Sequence, residues 1–312
     1  MKNSTAKVKV ESTSNLPVPF VKWAGGKRRL APLLIEAFPQ EFDPLKHRFF
    51  EPFIGGGALM FTLGKPTSKL NIPGENLFIN DMNPELTNTY EVIRDNVSAL
   101  IKELEILTKK INEKTYYEIR STVPRSKVSR AARFIYLNKT CFNGLWRVNS
   151  KGEFNVPFGK PKNPSLFVEA NLRACSRRLK GSTITTVSFE MAVSKARKGD
   201  LVYFDPPYIP LRPSASFSAY AKEGFGLDKQ ELLAETISKL NKKGVFVLLS
   251  NSDTVLTRKI FKKVLTLRKI LMARTISSSG STRNPVCEVI GMNYPHPRGS
   301  AVGNLDLISR PN

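Results

Sequence analysis

The chain has 312 residues, 41% of them hydrophobic, enough for one sizeable core with a smaller domain attached; no apolar run reaches the roughly 18 to 20 residues that span a bilayer, so a cytoplasmic protein is expected. Its formal net charge is +23, from 49 Lys and Arg against 26 Asp and Glu; solubility asks for only about 2 to 8, and the excess is the footprint of a polyanion, nucleic acid before a lipid surface. Three widely spaced cysteines (Cys141, Cys175, Cys287) and two histidines (His47, His296) argue against a disulfide framework, a metal site and Ser-His-Asp hydrolysis.

In chain order, residues 1–16 read as a disordered polar leader. Short apolar runs ending in acidic or turn-forming residues predict buried parallel strands at 48–51, 77–81, 201–205 and 245–251. Apolar residues at helical spacing predict helices over 85–107 and 228–240, so residues 17–107 and 168–294 read as one α/β doubly wound domain. Residues 108–167 break the alternation with a basic helical piece at 125–137 and a loop-rich stretch at 138–164, read as an inserted helical and hairpin domain. Residues 295–312, with Pro295, Pro297, Gly299 and Gly303, read as a loose tail.

Three motifs carry chemistry. Glu51-Pro52-Phe53-Ile54-Gly55-Gly56-Gly57 follows a predicted strand, and its glycines let backbone approach a nucleoside. It is no dinucleotide fingerprint, because the third glycine position falls on Met60. Asn80-Asp81 ends the next strand, where an acid suits ribose hydroxyls or, alternatively, caps the helix beyond Pro84. Asp205-Pro206-Pro207-Tyr208 follows the strand after that, at the sheet edge where α/β folds hold ligands. An amino group on a base is a poor nucleophile, its lone pair being delocalised into the ring. The Asp205 carboxylate and the Pro206 carbonyl can accept its hydrogens while Tyr208 stacks on the base; the plain alternative is a strand ending in a proline turn.

These motifs, together with Phe20-Val21-Lys22-Trp23-Ala24-Gly25-Gly26-Lys27, Phe142-Asn143-Gly144-Leu145 and Gly152-Glu153-Phe154-Asn155-Val156-Pro157-Phe158-Gly159, occur in the order seen in Dam-like adenine-N6 DNA methyltransferases. The sequence resembles that family from about Phe20 to Tyr294, most of all its GATC-modifying members, including companions of restriction endonucleases. The resemblance implies a Rossmann-like methyltransferase sheet, S-adenosylmethionine as donor, double-stranded DNA as substrate, and target recognition by the inserted segment. It implies Trp23, Lys27, Phe53, Gly55, Asp81, Phe189 and Asp205 at the cofactor, and Asp205, Pro206 and Tyr208 as the catalytic set. Trp23 as core and Lys27 as a solvated cation are the ordinary alternatives. For DNA it implies Lys22, Arg147 and the segment 138–160 up to Lys160, with Leu145 and Pro157 against a thymine methyl and Phe142 and Asn143 in the gap left by an extruded base. Where the family often continues Phe-Gly-Arg-Tyr, this chain has Phe158-Gly159-Lys160-Pro161, losing a fork-shaped donor and an aromatic. The loop 211–226 and the Ser-rich stretch 274–283 resemble segments that face DNA.

Base flipping into the Asp205 pocket followed by direct transfer is the expected mechanism, by a monomer without a metal. Methylation of cytosine N4, RNA or a protein amide uses the same pocket logic, and a catalytically silent DNA binder would carry the same charge. The intact motif and the recognition strings argue against both. A restriction endonuclease is expected as a functional rather than a physical partner.

Overall fold

The computed structural model describes residues 16–63, 70–208, 225–272, 286–296, 301 and 306–308. Strands β1 (Phe49–Glu51), β2 (Leu77–Asn80), β3 (Thr183–Thr185), β4 (Leu201–Phe204), β5 (Phe246–Ser252), β6 (Thr266–Met272) and β7 (Val286–Met292) form one sheet in the order β3-β2-β1-β4-β5-β7-β6. The first five in that order run parallel, and β7 lies antiparallel between β5 and β6. Parallel strands covered on both faces must be apolar throughout; Leu201, Val202, Tyr203 and Phe204 of β4 are accordingly all buried. The chain proceeds from β1 outward through β2 to β3, then returns to β4 on the other side of β1. That reversal puts a switch point between β1 and β4, and the crevice beyond their carboxyl ends is where ligands of open α/β sheets bind.

Helices α1 (Ala31–Glu36), α2 (Ala58–Leu63), α3 (Pro84–Thr108), α4 (Glu113–Ser121), α5 (Lys127–Thr140), α6 (Glu169–Leu179), α7 (Phe189–Ala192), α8 (Leu227–Lys242) and α9 (Val255–Phe261) complete the fold. The Asn83 side chain caps α3, accepting from the backbone N–H groups of Glu85 and Leu86 at 3.0 and 3.3 Å, with Pro84 opening the helix. Helix α5 packs on α3, and its Ala131, Phe134, Ile135 and Leu137 join the same core as Leu77 of β2 and Leu201 of β4. The helical part of segment 108–167 is therefore anchored in the sheet domain's own core.

The strands expected at 48–51, 77–81, 201–205 and 245–251 are β1, β2, β4 and β5, and the two expected helices are α3 and α8. The tail 295–312 is not loose throughout, which corrects that expectation. Lys269 N donates to Asp306 O at 2.9 Å and Ile308 N to Leu267 O at 3.0 Å, so residues 306–308 cover groups that the outer strand β6 would otherwise leave unpaired. Residues 1–15 of the expected leader lie outside the described residues.

Candidate active site

The glycine turn leaves β1 at the switch point. Gly55 adopts φ +47°, and a Cβ there would stand 2.7 Å from Cδ1 of Trp23, so the indole lies directly on bare backbone. Two side chains brace this turn. The Tyr90 hydroxyl donates to Gly55 O at 2.9 Å, and the Asp81 carboxylate accepts from Gly55 N at 3.1 Å and from Asn83 N at 3.0 Å. Because Asn83 is the helix cap, Asp81 is spared that role and joins the β2 edge to the turn after β1. Burial lifts its carboxyl above the usual range against the pull of the Asn83, Gly55 and Met82 backbone N–H groups. Beneath the turn, Asn80 ties the ends of β1 and β3 together through Pro52 O and Val187 O, each at 3.0 Å. That places Phe189 with its ring centroid 5.6 Å from Phe53, and Phe225 closes the group at 5.4 Å from Phe53 and 5.8 Å from Phe189. The result is an aromatic cluster at the turn that leads to the Gly55 backbone.

Asp205 sits at the end of β4, on the other side of the same crevice. Lys27 Nζ lies 3.2 Å from Asp205 Oδ1, and the Ser250 hydroxyl donates to that same oxygen at 2.7 Å. Both contacts use Oδ1, and among the described residues none is recorded at Oδ2. Ser250 in turn shares a 2.9 Å hydrogen bond with the Tyr203 hydroxyl. Burial raises the Asp205 carboxyl above its ordinary value; Lys27 and Ser250 oppose this and Glu288 reinforces it. Lys27, only 7% exposed, also donates to Gly25 O at 2.6 Å and stands 4.3 Å above the centroid of the Tyr208 ring. It is thus a buried hub joining the strand-end acid, the ring and the Gly25 turn. The Tyr208 hydroxyl donates to Glu288 Oε2 at 3.0 Å, and Gln230, 1% exposed, donates from Nε2 to Pro207 O at 3.0 Å.

The residues expected at DNA stand in solvent. Lys22, Phe142, Asn143, Leu145, Arg147, Pro157 and Lys160 are all exposed. All but Lys22 belong to a short hairpin in which Val148 pairs with Phe154 and Cys141 with Phe158. Trp146 locks the hairpin down, its ring 4.2 Å from Phe134 and 4.6 Å from Phe154. Asn138, wholly buried, accepts from Lys22 N at 2.8 Å and donates to Lys22 O and Gly144 O at 2.8 and 3.1 Å, clamping two sequence-distant motifs together. Gly144, at φ +65°, permits that approach, since a Cβ there would meet Lys22 Cδ at 2.5 Å. Arg147 Nε donates to Asn155 Oδ1 at 2.8 Å across the hairpin.

Comparison with known proteins decides the family. Residues 23–276 match the family described as D12 class N6 adenine-specific DNA methyltransferase. The chain belongs to this family. It is 42% identical over 287 residues to the type II methyltransferase M1.LlaDCHI of Lactococcus lactis subsp. cremoris, covering 88% of this chain and 95% of that one. It is 38% identical over 293 residues to the type II methyltransferase M.MjaIII of Methanocaldococcus jannaschii, covering 88% and 99%. The DNA adenine methylase of Escherichia coli K12 is 34% identical over 280 residues, covering 88% and 95%.

For a D12-class methyltransferase, sequence reasoning named one ring of the site and missed the next. Ser250, Tyr203, Gln230, Glu288 and Tyr90 carry no functional expectation from the sequence, and Asn138 carries one only as the start of the segment 138–160. Ser250 had a readable signal, as it lies near the end of a predicted strand; Glu288 stands on a strand that was not predicted. Phe225, in the loop 211–226 that resembles DNA-facing segments, packs against Phe53 and Phe189. Phe217, Tyr220 and the stretch 274–283 lie outside the described residues. Among the described residues no group of three or more His, Cys, Asp or Glu gathers to hold a metal ion, and no helix is long and apolar enough to cross a membrane.

Proposed function

We propose that the protein transfers a methyl group from S-adenosylmethionine to adenine N6 in duplex DNA, within GATC, after turning the base out of the stack. The observation that carries this reading is Asp205 at the switch point, with Lys27 and Ser250 both on Oδ1 and Oδ2 left for a ligand. The donor fits the chain's own residues. Bare backbone at Gly55 under Trp23, an Asp81 carboxylate with lone pairs for ribose hydroxyls, and the Phe53 and Phe189 rings for an adenine make a nucleoside cradle. When bound there, the donor supplies an electrophilic methyl on a sulfonium. Asp205 Oδ2 and the Pro206 carbonyl accept the N6 hydrogens and localise the lone pair. The nitrogen turns acidic only as it gains the methyl, so Asp205 need not remove a proton first. Lys27 stands over one face of the Tyr208 ring, and the base is to stack on the other.

The DNA is held by phosphate contacts from a +23 surface, and the exposed hairpin reads base edges. Arg147 is held at Nε by Asn155, which directs its two terminal nitrogens outward for guanine O6 and N7. Leu145 and Pro157 suit a thymine methyl, Phe142 and Asn143 the space vacated by the base, and Lys22 and Lys160 the backbone or a base edge. The sheet domain spans 17–107 and 168–294, with 108–167 as target recognition. The enzyme acts in the cytoplasm as a monomer, with a restriction endonuclease as functional partner. The test is transfer of labelled methyl to duplexes containing GATC, set against duplexes whose target adenine is replaced or already methylated. Label confined to the unmodified GATC duplex is expected; label on all duplexes overturns the site, and label recovered in cytosine overturns the chemistry.

A further inference from the structure

We infer that Glu288 is a positioning residue for the methyl-transfer step: its carboxylate fixes the ring of Tyr208 in the plane at which an extruded base stacks. The inference rests on the proposed reading of Tyr208 as the stacking platform. It begins from topology. Strand β7 runs antiparallel to β5 with Glu288 opposite Ser252 and, on its other side, opposite Ile270 of β6. The reversed direction brings the first half of β7 to the carboxyl edge of β4 and β5, beside the Asp205-Pro206-Pro207-Tyr208 turn. A carboxylate on a strand flanked on both sides costs desolvation, and an apolar residue would serve the sheet better. The Tyr208 hydroxyl answers that cost by donating to Glu288 Oε2 at 3.0 Å.

An aromatic side chain has a broad torsion about its second bond, so a ring at a loop position is not oriented by its backbone. Here the phenol O–H, which prefers the plane of its ring, donates to Glu288 and so ties that plane to the direction of the acceptor, while Lys27 stands over the face, 4.3 Å from the centroid. A hydroxyl donating to an ionised acceptor makes the stronger kind of hydrogen bond. Burial and the neighbouring Asp205 carboxylate hold the phenol well above its ordinary value, so it remains a donor. The interaction is present before any base arrives, and so is the ring plane.

The test uses the full-length protein and the variants Tyr208→Ala, Tyr208→Phe, Glu288→Gln and Glu288→Leu. For each, kcat and the KM values for duplex and donor are measured, with fluorescence of 2-aminopurine at the target position as a reporter of stacking. Tyr208→Phe and Glu288→Leu are each expected to lower kcat about tenfold, a loss on the order of one hydrogen bond, with donor KM unchanged. Glu288→Gln keeps an acceptor oxygen and retains most of the rate. The double variant Tyr208→Phe with Glu288→Leu is no slower than the slower single, and 2-aminopurine is brighter in the Glu288→Leu complex than in the parent. If Tyr208→Ala is severely impaired while Tyr208→Phe and Glu288→Leu match the parent, the positioning role is refuted and the stacking role stands. If Tyr208→Ala itself keeps full rate, the stacking role falls and the inference with it. Should Glu288→Leu not fold, Tyr208→Phe and Glu288→Gln decide the matter.

Discussion

Replacing Asp205 by asparagine changes almost no volume and reverses one hydrogen-bond direction. Lys27 and the Ser250 hydroxyl both donate to Oδ1, at 3.2 and 2.7 Å, so the amide oxygen of the variant must take that position. Its NH2 group then occupies the place of Oδ2 and points donors at an amine that also needs acceptors. The variant forfeits a hydrogen bond to a charged acceptor, about 1.5 to 3 kcal/mol, and adds a donor facing a donor. By analogy with removing one preorganised partner of a developing charge, kcat should fall about 10²- to 10³-fold. The assay is single-turnover transfer of labelled methyl with donor and enzyme saturating, beside a direct measure of duplex affinity. Affinity should hold, because the phosphate-binding surface is untouched. A rate within tenfold of the parent would refute the assignment of Oδ2 as the acceptor for N6.

Four further outcomes follow from the same geometry. Asp81→Ala removes the acceptor of two backbone N–H groups and should weaken donor binding by about 10- to 100-fold, by calorimetry, with duplex affinity unchanged. Gly55→Ala puts a Cβ 2.7 Å from Trp23 at a positive φ; donor affinity should drop and tryptophan emission shift, with the circular dichroism of the fold retained. Since the Asp205 carboxyl is raised by burial and lowered by Lys27, the ionised acceptor is lost as pH falls through a value above the ordinary 3.8, and Lys27→Met should move the acid limb of the kcat profile to higher pH. Glu51 lies fully buried at the end of β1 with its carboxyl pushed well above 4.5, by burial first and by Asp205 next. Folding therefore takes up a proton, and stability falls as pH rises from the ordinary value toward the raised one; Glu51→Gln should flatten that slope in denaturant titrations.

What the sequence discloses here is whatever is local. The run Leu201-Val202-Tyr203-Phe204 before Asp205-Pro206-Pro207-Tyr208 announces a buried strand, and that strand stands where expected. Strand β6 is harder to read, because Arg268 and Lys269 interrupt its apolar run, and β3 is only three residues long. Glu288 illustrates the deeper obstacle. Its partner Tyr208 lies eighty positions away, and the two meet only because β7 enters the sheet antiparallel between β5 and β6. The helix-cap reading of Asp81 is answered in the same way. Helix cap and ribose acceptor look alike in one dimension, and only the Asn83 contacts to Glu85 and Leu86 N–H assign the cap elsewhere.

The charge pattern acquires a second meaning once the site is assembled. A +23 chain attracts a polyanion over its whole surface, yet Glu51, Asp81, Asp205 and Glu288 collect at one sheet edge. Carboxylates on a DNA-binding face would repel phosphates if they stood in solvent. Burial prevents that, and the same burial raises Glu51, Asp81 and Asp205 toward protonation. On the proposed reading, the reactive end of the donor is a sulfonium, and carboxyl oxygens, ionised or not, offer it lone pairs without presenting charge to the DNA. Lys27 is bound to both Asp205 and the Tyr208 ring. A cation there opposes the burial that raises the Asp205 carboxyl, and on the proposed reading so favours the ionised acceptor for N6.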